Sequence, residues 1–350
     1  MLLLGLGIVL GKLKFDSLRG TSLIHLAVWA YLVVNMVSLL AGSDDNLRFM
    51  VITFYMVGIF YFIKMYVTSE ATMRLVMFGY LASALLSVAL LTLDYTGIGP
   101  GGIFVVNNRA KALFKDANVF GPYLVIVILF LIDEIWRPHL IRKSPVLKLL
   151  AVTALAAALF LSFSRAAWGN LALALAVYGL LNLRQVTGKI VVRGLFFGVL
   201  AVLILAVIVN ATGLQEFLLW RATAVQNYDF DRLAAQQEAV RQGFANLLGL
   251  GPGMMDIGFY SPHSLYARSF GEHGILGFAA LVLLLGALLV QSFTHAVRVT
   301  DRVYGLSPKV VFASAVGLFF QQLCHRYTAL APFLVSPRAA LDSGRLSATS

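Results

Sequence analysis

Charge is scarce in this chain. Only 12% of its 350 residues are Asp, Glu, Lys or Arg, against about a quarter in an average soluble domain. With 60% hydrophobic residues and a mean hydropathy of +0.86, that scarcity excludes both a soluble globular domain and a disordered chain. Cysteine is nearly absent. Cys324 stands alone, which excludes a disulfide framework and any multi-cysteine metal site. No P-loop, no H-E-x-x-H and no nucleophile elbow occurs. Asp44-Asp45 and Asp229/Asp231 lack an accompanying histidine–carboxylate set, so neither a divalent metal nor another cofactor is expected. The excess of 27 Lys+Arg over 16 Asp+Glu, net +11, points in so apolar a chain to basic membrane-facing loops rather than nucleic acid.

What the chain does have is long apolar runs, at about 1–11, 21–41, 47–67, 73–93, 119–136, 147–163, 166–183, 194–213, 273–293 and 309–335. They are continuous and rich in Leu, Ala and Val, without the ten-residue alternation of a membrane barrel. At about 20 residues per span they predict an all-α, polytopic integral membrane bundle of about ten transmembrane helices. The chain reads as a single membrane domain over 1–350, with a polar tail at 336–350. The first run is short for a span. It lacks a basic leader and a small-residue cleavage site, so it is not read as a signal peptide. Ile98 to Val106, with its GPGG turn, reads as loop.

Orientation follows from the basic residues. Loops 12–20, 64–74, 137–148, 184–193 and 294–309 hold more than half of them, which makes these loops cytoplasmic. The opposite side then carries 43–46, 94–118, the sharp turn at Ser164–Arg165 and the long segment 214–272. That outer side should be poor in arginine, yet it holds Arg109, Arg165, Arg221, Arg232, Arg241 and Arg268. An anionic ligand on the outer face is one reason for such a concentration.

Segment 214–272 is the only long connection, and long connections are usually functional. Over Arg232–Leu248, the residues Leu233, Val240, Phe244, Leu247 and Leu248 form one stripe at helical spacing, an amphipathic helix lying on the membrane surface or capping the bundle. Gly249-Leu250-Gly251-Pro252-Gly253 ends it as a turn. His263 follows Ser261-Pro262 and opens the helical stretch His263–Gly277. A lone histidine is more often a structural hydrogen-bonder. Its place at a helix start beside the arginines changes that reading, because a neutral imidazole there is suited to taking a proton from a hydroxyl. Glu272 and His273 read as packing or orienting groups, Asn118 as a helix cap, and Asp133-Glu134 as partners of Arg137 at a cytoplasmic helix end. Arg165, between two apolar runs, reads either as a snorkelling arginine or as a guanidinium fixed at the mouth of a polar cavity. Arg109 reads either as part of a basic interfacial loop or as a further phosphate contact. The His325-Arg326 pair at apparent membrane depth is the feature that would favour a transporter of lipid-linked glycan instead.

Several pieces together resemble the O-antigen ligase and O-antigen polymerase superfamily of bacterial membrane glycosyltransferases. They are Arg109…Phe114-Lys115-Asp116-Ala117-Asn118-Val119-Phe120-Gly121, Ser164-Arg165-Ala166-Ala167-Trp168, Asp231-Arg232-Leu233, Gly249-Leu250-Gly251-Pro252-Gly253 and His263…Glu272-His273-Gly274-Ile275-Leu276-Gly277. They occur in family order over roughly residues 100–290. Ser264 stands where the family usually has Asn, and Ala112 where it usually has Gly. The resemblance implies a multi-pass protein of the bacterial inner membrane with its active site on the periplasmic side, part of it carried by 214–272. It would transfer a glycan, without metal, from undecaprenyl pyrophosphate to an acceptor sugar: lipid A core for a ligase, another lipid-linked glycan for a polymerase. Arg165 and Arg232 would hold the pyrophosphate, His263 would act on the acceptor hydroxyl, and Arg109, Arg221 and Arg241 would add substrate contacts. Guanidinium forks suit this chemistry, because charge grows on the pyrophosphate as the glycosidic bond breaks.

Overall fold

The computed structural model describes residues 22–42, 46–99, 101–141, 144–183, scattered positions between 199 and 219, 227–256, 262, 264–299 and 301–327. It is a helical bundle. In chain order the elements are α1 Ser22–Ser38 with a 3-10 turn Leu39–Ala41, α2 Leu47–Tyr66, α3 Glu70–Tyr95, a two-residue hairpin β1 Val105–Val106 and β2 Arg109–Ala110, α4 Ala117–Trp136, α5 Pro145–Leu161, α6 Arg165–Leu181, α7 Asn227–Ala245, a 3-10 turn Met254–Asp256, α8 Leu265–Arg298 and α9 Pro308–Tyr327.

Five of these are long and apolar enough to cross a membrane: Leu23–Ala41, Leu47–Tyr66, Glu70–Tyr95, Ala117–Trp136 and Leu265–Arg298. α5 and α6 are shorter at 17 residues each, about 26 Å at 1.5 Å per residue. These helices coincide with the apolar runs to within a few residues, except that α8 starts earlier than the expected 273. Runs 1–11 and most of 194–213 lie outside the described residues, as does the tail 336–350. The hairpin departs from a purely helical reading. Asn107 and Asn108 take φ of 51° and 60°, the left-handed pair that a tight hairpin turn needs. The Asp94 carboxylate holds the loop by accepting from the backbone N–H groups of Gly101, Phe104 and Val105.

α4 is the axis of the core. Phe120, Leu124, Val127, Leu129 and Phe130 along it are fully enclosed, and it packs on α5, α6 and α9. Between Leu124 and Ile132 its side chains are apolar on every side, as in a helix enclosed by others. Antiparallel packing sorts the connections to two ends. At one end lie the β1–β2 loop, the α5–α6 turn and the start of α8. At the other lie the α4–α5 turn and the α8–α9 loop.

That second end is closed by a buried ion cluster. Asp133 was expected to pair with Arg137 and instead receives Arg302 at 2.8 Å and the Tyr178 hydroxyl at 2.7 Å. Glu134 accepts from the backbone N–H groups of His139, Leu140 and Ile141 and from Arg302 Nη1 at 2.6 Å, and Lys148 Nζ stands 3.7 Å away. Arg137 turns to Asn182. The buried carboxylates are met by a cation from a distant loop because the arginine on their own helix end points to the neighbouring helix.

Candidate functional site

The first end holds two polar centres. One is built at the α5–α6 turn. Phe163 has φ 47°, so the chain reverses within Ser162-Phe163-Ser164, and Ser164 caps α6 by accepting from Ala167 N–H. Arg165 is therefore the first helical residue of α6, half-buried. Arg109 comes to the same corner from β2. Its Nε donates to the Ser162 carbonyl at 3.1 Å and its Nη2 to Asn118 Oδ1 at 2.9 Å. Asn118 was expected to cap α4, but Asp116 does so, accepting from Asn118 N–H at 2.9 Å. The Asn118 side chain is thereby released to hold Arg109.

Pro122 explains a further link. It has no N–H, so the Asn118 carbonyl one turn earlier loses its helical donor. Gln321 of α9 supplies one at 3.2 Å and receives Asn170 of α6 at 2.8 Å. Ala112 sits at φ 49° and is fully buried. That left-handed backbone is what glycine normally provides.

The second centre surrounds the first turns of α8. Gly274, at φ 63° and ψ −161°, interrupts the helix. The carbonyls of Gly271 and Glu272 accept instead from Leu250 and Gly251 N–H, at 3.0 and 2.9 Å. The glycine-rich turn 249–253 thus completes the broken helix. Only glycine allows this approach, since a Cβ on Gly251 would meet Gly42 Cα at 2.7 Å and one on Gly274 would meet the Leu247 carbonyl oxygen at 2.0 Å. Above the kink, Arg268 bridges Asp256 and Glu272, with Nε 3.0 Å from Glu272. His273 is enclosed and bonded through both ring nitrogens, to Ser38 Oγ at 2.7 Å and Asn35 Nδ2 at 2.8 Å. It ties α8 to the end of α1.

α7 lies along this part of α8. Its inner side is Gln236, Ala239 and Gly243, all buried, and a Cβ on Gly243 would meet the Phe270 ring at 2.5 Å. The small residues set the close approach. The apolar stripe consequently lines an open groove of about 730 Å³, formed by Leu233, Val240, Phe244, Phe270, Phe278 and Val282, with Ser264 among its few polar groups. Leu247 and Leu248 lie beyond the helix end. Arg241 is on the solvent side, held by Glu238 in a two-pronged contact of 2.8 and 2.6 Å. That contact, with a hydrogen bond from Gln242, pulls the Glu238 carboxyl down to about 2.

The structure therefore brings the Arg109 side chain to the turn that precedes Arg165. It places the Arg232 backbone in α7 and Arg241 on that helix's exposed side. His263 and Arg221 lie outside the described residues, and so does the side chain of Arg232. Ser264, which follows His263, is buried at the start of α8. The sequence reading missed that Arg268 is neutralised by two carboxylates, although the Arg268/Glu272 spacing of four was a legible signal. It also missed the Asn35 and Ser38 partners of His273, which no local pattern announces. No family model, no curated protein and no solved structure matches the chain.

Proposed function

We propose that this protein is a metal-independent glycosyltransferase of the O-antigen ligase type, spanning a bacterial inner membrane about ten times, with segment 214–272 and the site on the periplasmic side. It takes a glycan from undecaprenyl pyrophosphate and transfers it to a sugar hydroxyl. The observation that supports this best is the corner where Arg109 grips the Ser162 carbonyl, 53 positions away in sequence. It brings the Arg109 guanidinium to the turn that carries Arg165, at one end of an apolar bundle where a lipid-borne anion would arrive. Arg165, Arg109 and Arg232 neutralise the pyrophosphate as the anomeric bond breaks. His263 takes the proton of the attacking hydroxyl. Displacement at the anomeric carbon proceeds most simply with inversion. The apolar groove between α7 and α8 suits the first units of the prenyl chain, and Arg241 and Arg221 add substrate contacts.

The test is turnover. Purified protein in nanodiscs, in excess chelator, is given a lipid-pyrophosphate glycan with either lipid A core or a second lipid-linked glycan. Product with the first acceptor makes it a ligase, and product with the second makes it a polymerase of the same superfamily. No transfer to either, or transfer that requires an added divalent ion, contradicts the proposal.

A further inference from the structure

The second polar centre encloses a cavity of about 260 Å³ between α1, α2, the 249–256 turn and α8. Tyr31, Asn35, Phe49, Thr53, Ser269 and Glu272 are among its lining residues. Two buried polar atoms there make no short hydrogen bond, Asn35 Oδ1 and Ser269 Oγ, on residues only 1% and 2% exposed, with Tyr31 beside both side chains. The hydrogen bonds fix which atom of Asn35 is left over. Ser38 Oγ donates to the Asn35 carbonyl at 2.9 Å, so the His273 Nδ1–H must donate to Ser38. His273 Nε2 is then an acceptor and takes the Asn35 amide N–H. Asn35 Oδ1 remains as an acceptor held in one orientation. Buried polar atoms in native proteins almost always find partners, and a polar cavity this size has room for more than one bridging water.

Charge decides what kind of partner fits. Arg268 is the cation here, and it already meets both Asp256 and Glu272. Its charge is already met by these carboxylates, so the lining offers a phosphate or pyrophosphate no uncommitted cation. What remains is a neutral ligand with several hydroxyls to pair with Asn35, Ser269, Thr53 and Glu272, and an apolar face to lie against Phe49 or Tyr31. We propose that this cavity binds one neutral sugar ring, the acceptor sugar, resting on the function proposed above. The end of the bundle is then divided by charge: the arginine corner takes the anionic donor and the Asn35–Ser269 cavity takes the uncharged acceptor.

The test uses the full chain in nanodiscs free of sugar-headed detergents. Binding of free galactose, glucose and N-acetylglucosamine is followed by saturation-transfer NMR, with inorganic pyrophosphate as competitor. At least one neutral monosaccharide should bind saturably and resist displacement by pyrophosphate. Ser269→Leu, which fills the cavity, should weaken binding tenfold or more. Ser269→Ala, which is nearly isosteric and keeps the fold, should weaken it severalfold. Absence of saturable binding by all three sugars, displacement by pyrophosphate, or unchanged binding in both variants overturns the inference. Sugar binding without glycan transfer would uphold this site and sink the proposed function. Transfer whose acceptor KM is unchanged by Ser269→Leu would uphold the function and sink this site.

Discussion

Removal of Arg302 should loosen the whole end of the bundle opposite the arginine corner. Its guanidinium contacts Asp133 at 2.8 Å and Glu134 at 2.6 Å, and also the carbonyls of Gly305 and Arg137. Both carboxylates are buried. Glu134 keeps three backbone donors and Lys148 when Arg302 is lost, but Asp133 keeps only Tyr178 among its short contacts. Breaking one side of a buried pair typically costs about 3–5 kcal/mol, so Arg302→Met should lie in that range. Restoring balance with Asp133→Asn in the same chain should recover part of it, giving a coupling of about 1–3 kcal/mol. The assay is thermal unfolding of the purified protein in one detergent for wild type, each single variant and the double variant. A midpoint for Arg302→Met equal to wild type, or strict additivity in the cycle, would refute the assignment of Arg302 as the counter-ion of these carboxylates.

Gly274→Ala should be severely destabilising, since left-handed backbone alone costs about 1–2 kcal/mol and the new Cβ meets the Leu247 carbonyl oxygen. Gly286→Ala, with nothing within 4 Å, should be neutral or stabilising by up to about 1 kcal/mol, and comparison of their thermal midpoints checks both. In a Cys324→Ser background, single cysteines replacing Asn227 and Lys189 should be labelled from opposite sides of the membrane. Labelling of both from one side contradicts the topology. The Glu238 carboxyl is depressed, so its contact with Arg241 is fully formed above about 4.5 and opens as pH falls through about 2. Arg241→Ala should raise that titration toward the ordinary carboxylate range, with the Gln242 hydrogen bond holding it partly down, read by carbon-13 NMR of labelled glutamate, and should leave the thermal midpoint unchanged because the pair is exposed.

The helices were legible because an apolar run of spanning length has few alternatives in a chain with so little charge. The α5–α6 turn and the glycine-rich turn were legible because serine, glycine and proline are local signals. Partner choice was not. Asn118 reads as the cap of α4, but Asp116 takes that role and leaves the Asn118 side chain to hold Arg109. Asp133 looked to the arginine nearest in sequence, whereas its counter-ion arrives from the α8–α9 loop. The stripe of α7 identified the helix but not its packing. Gly243 and Ala239 let the helix approach through its small-residue side, so the apolar stripe faces a groove. His273 and Asn35 are 238 positions apart, and only the folded chain joins them.

The division of labour between arginine and histidine is the centre of the account. It is tested by measuring donor binding and glycan transfer side by side for Arg165→Ala, Arg232→Ala and His263→Ala in folded, membrane-inserted protein. The arginine variants should weaken binding of the lipid-pyrophosphate donor by an order of magnitude or more, since a charged hydrogen bond in a dry site contributes about 1.5–3 kcal/mol. Arg→Lys should restore it only in part, because an ammonium cannot make the two-pronged contact. His263→Ala should bind donor nearly as wild type and lose about 10²-fold or more in transfer. Transfer by His263→Ala at close to the wild-type rate would contradict the account.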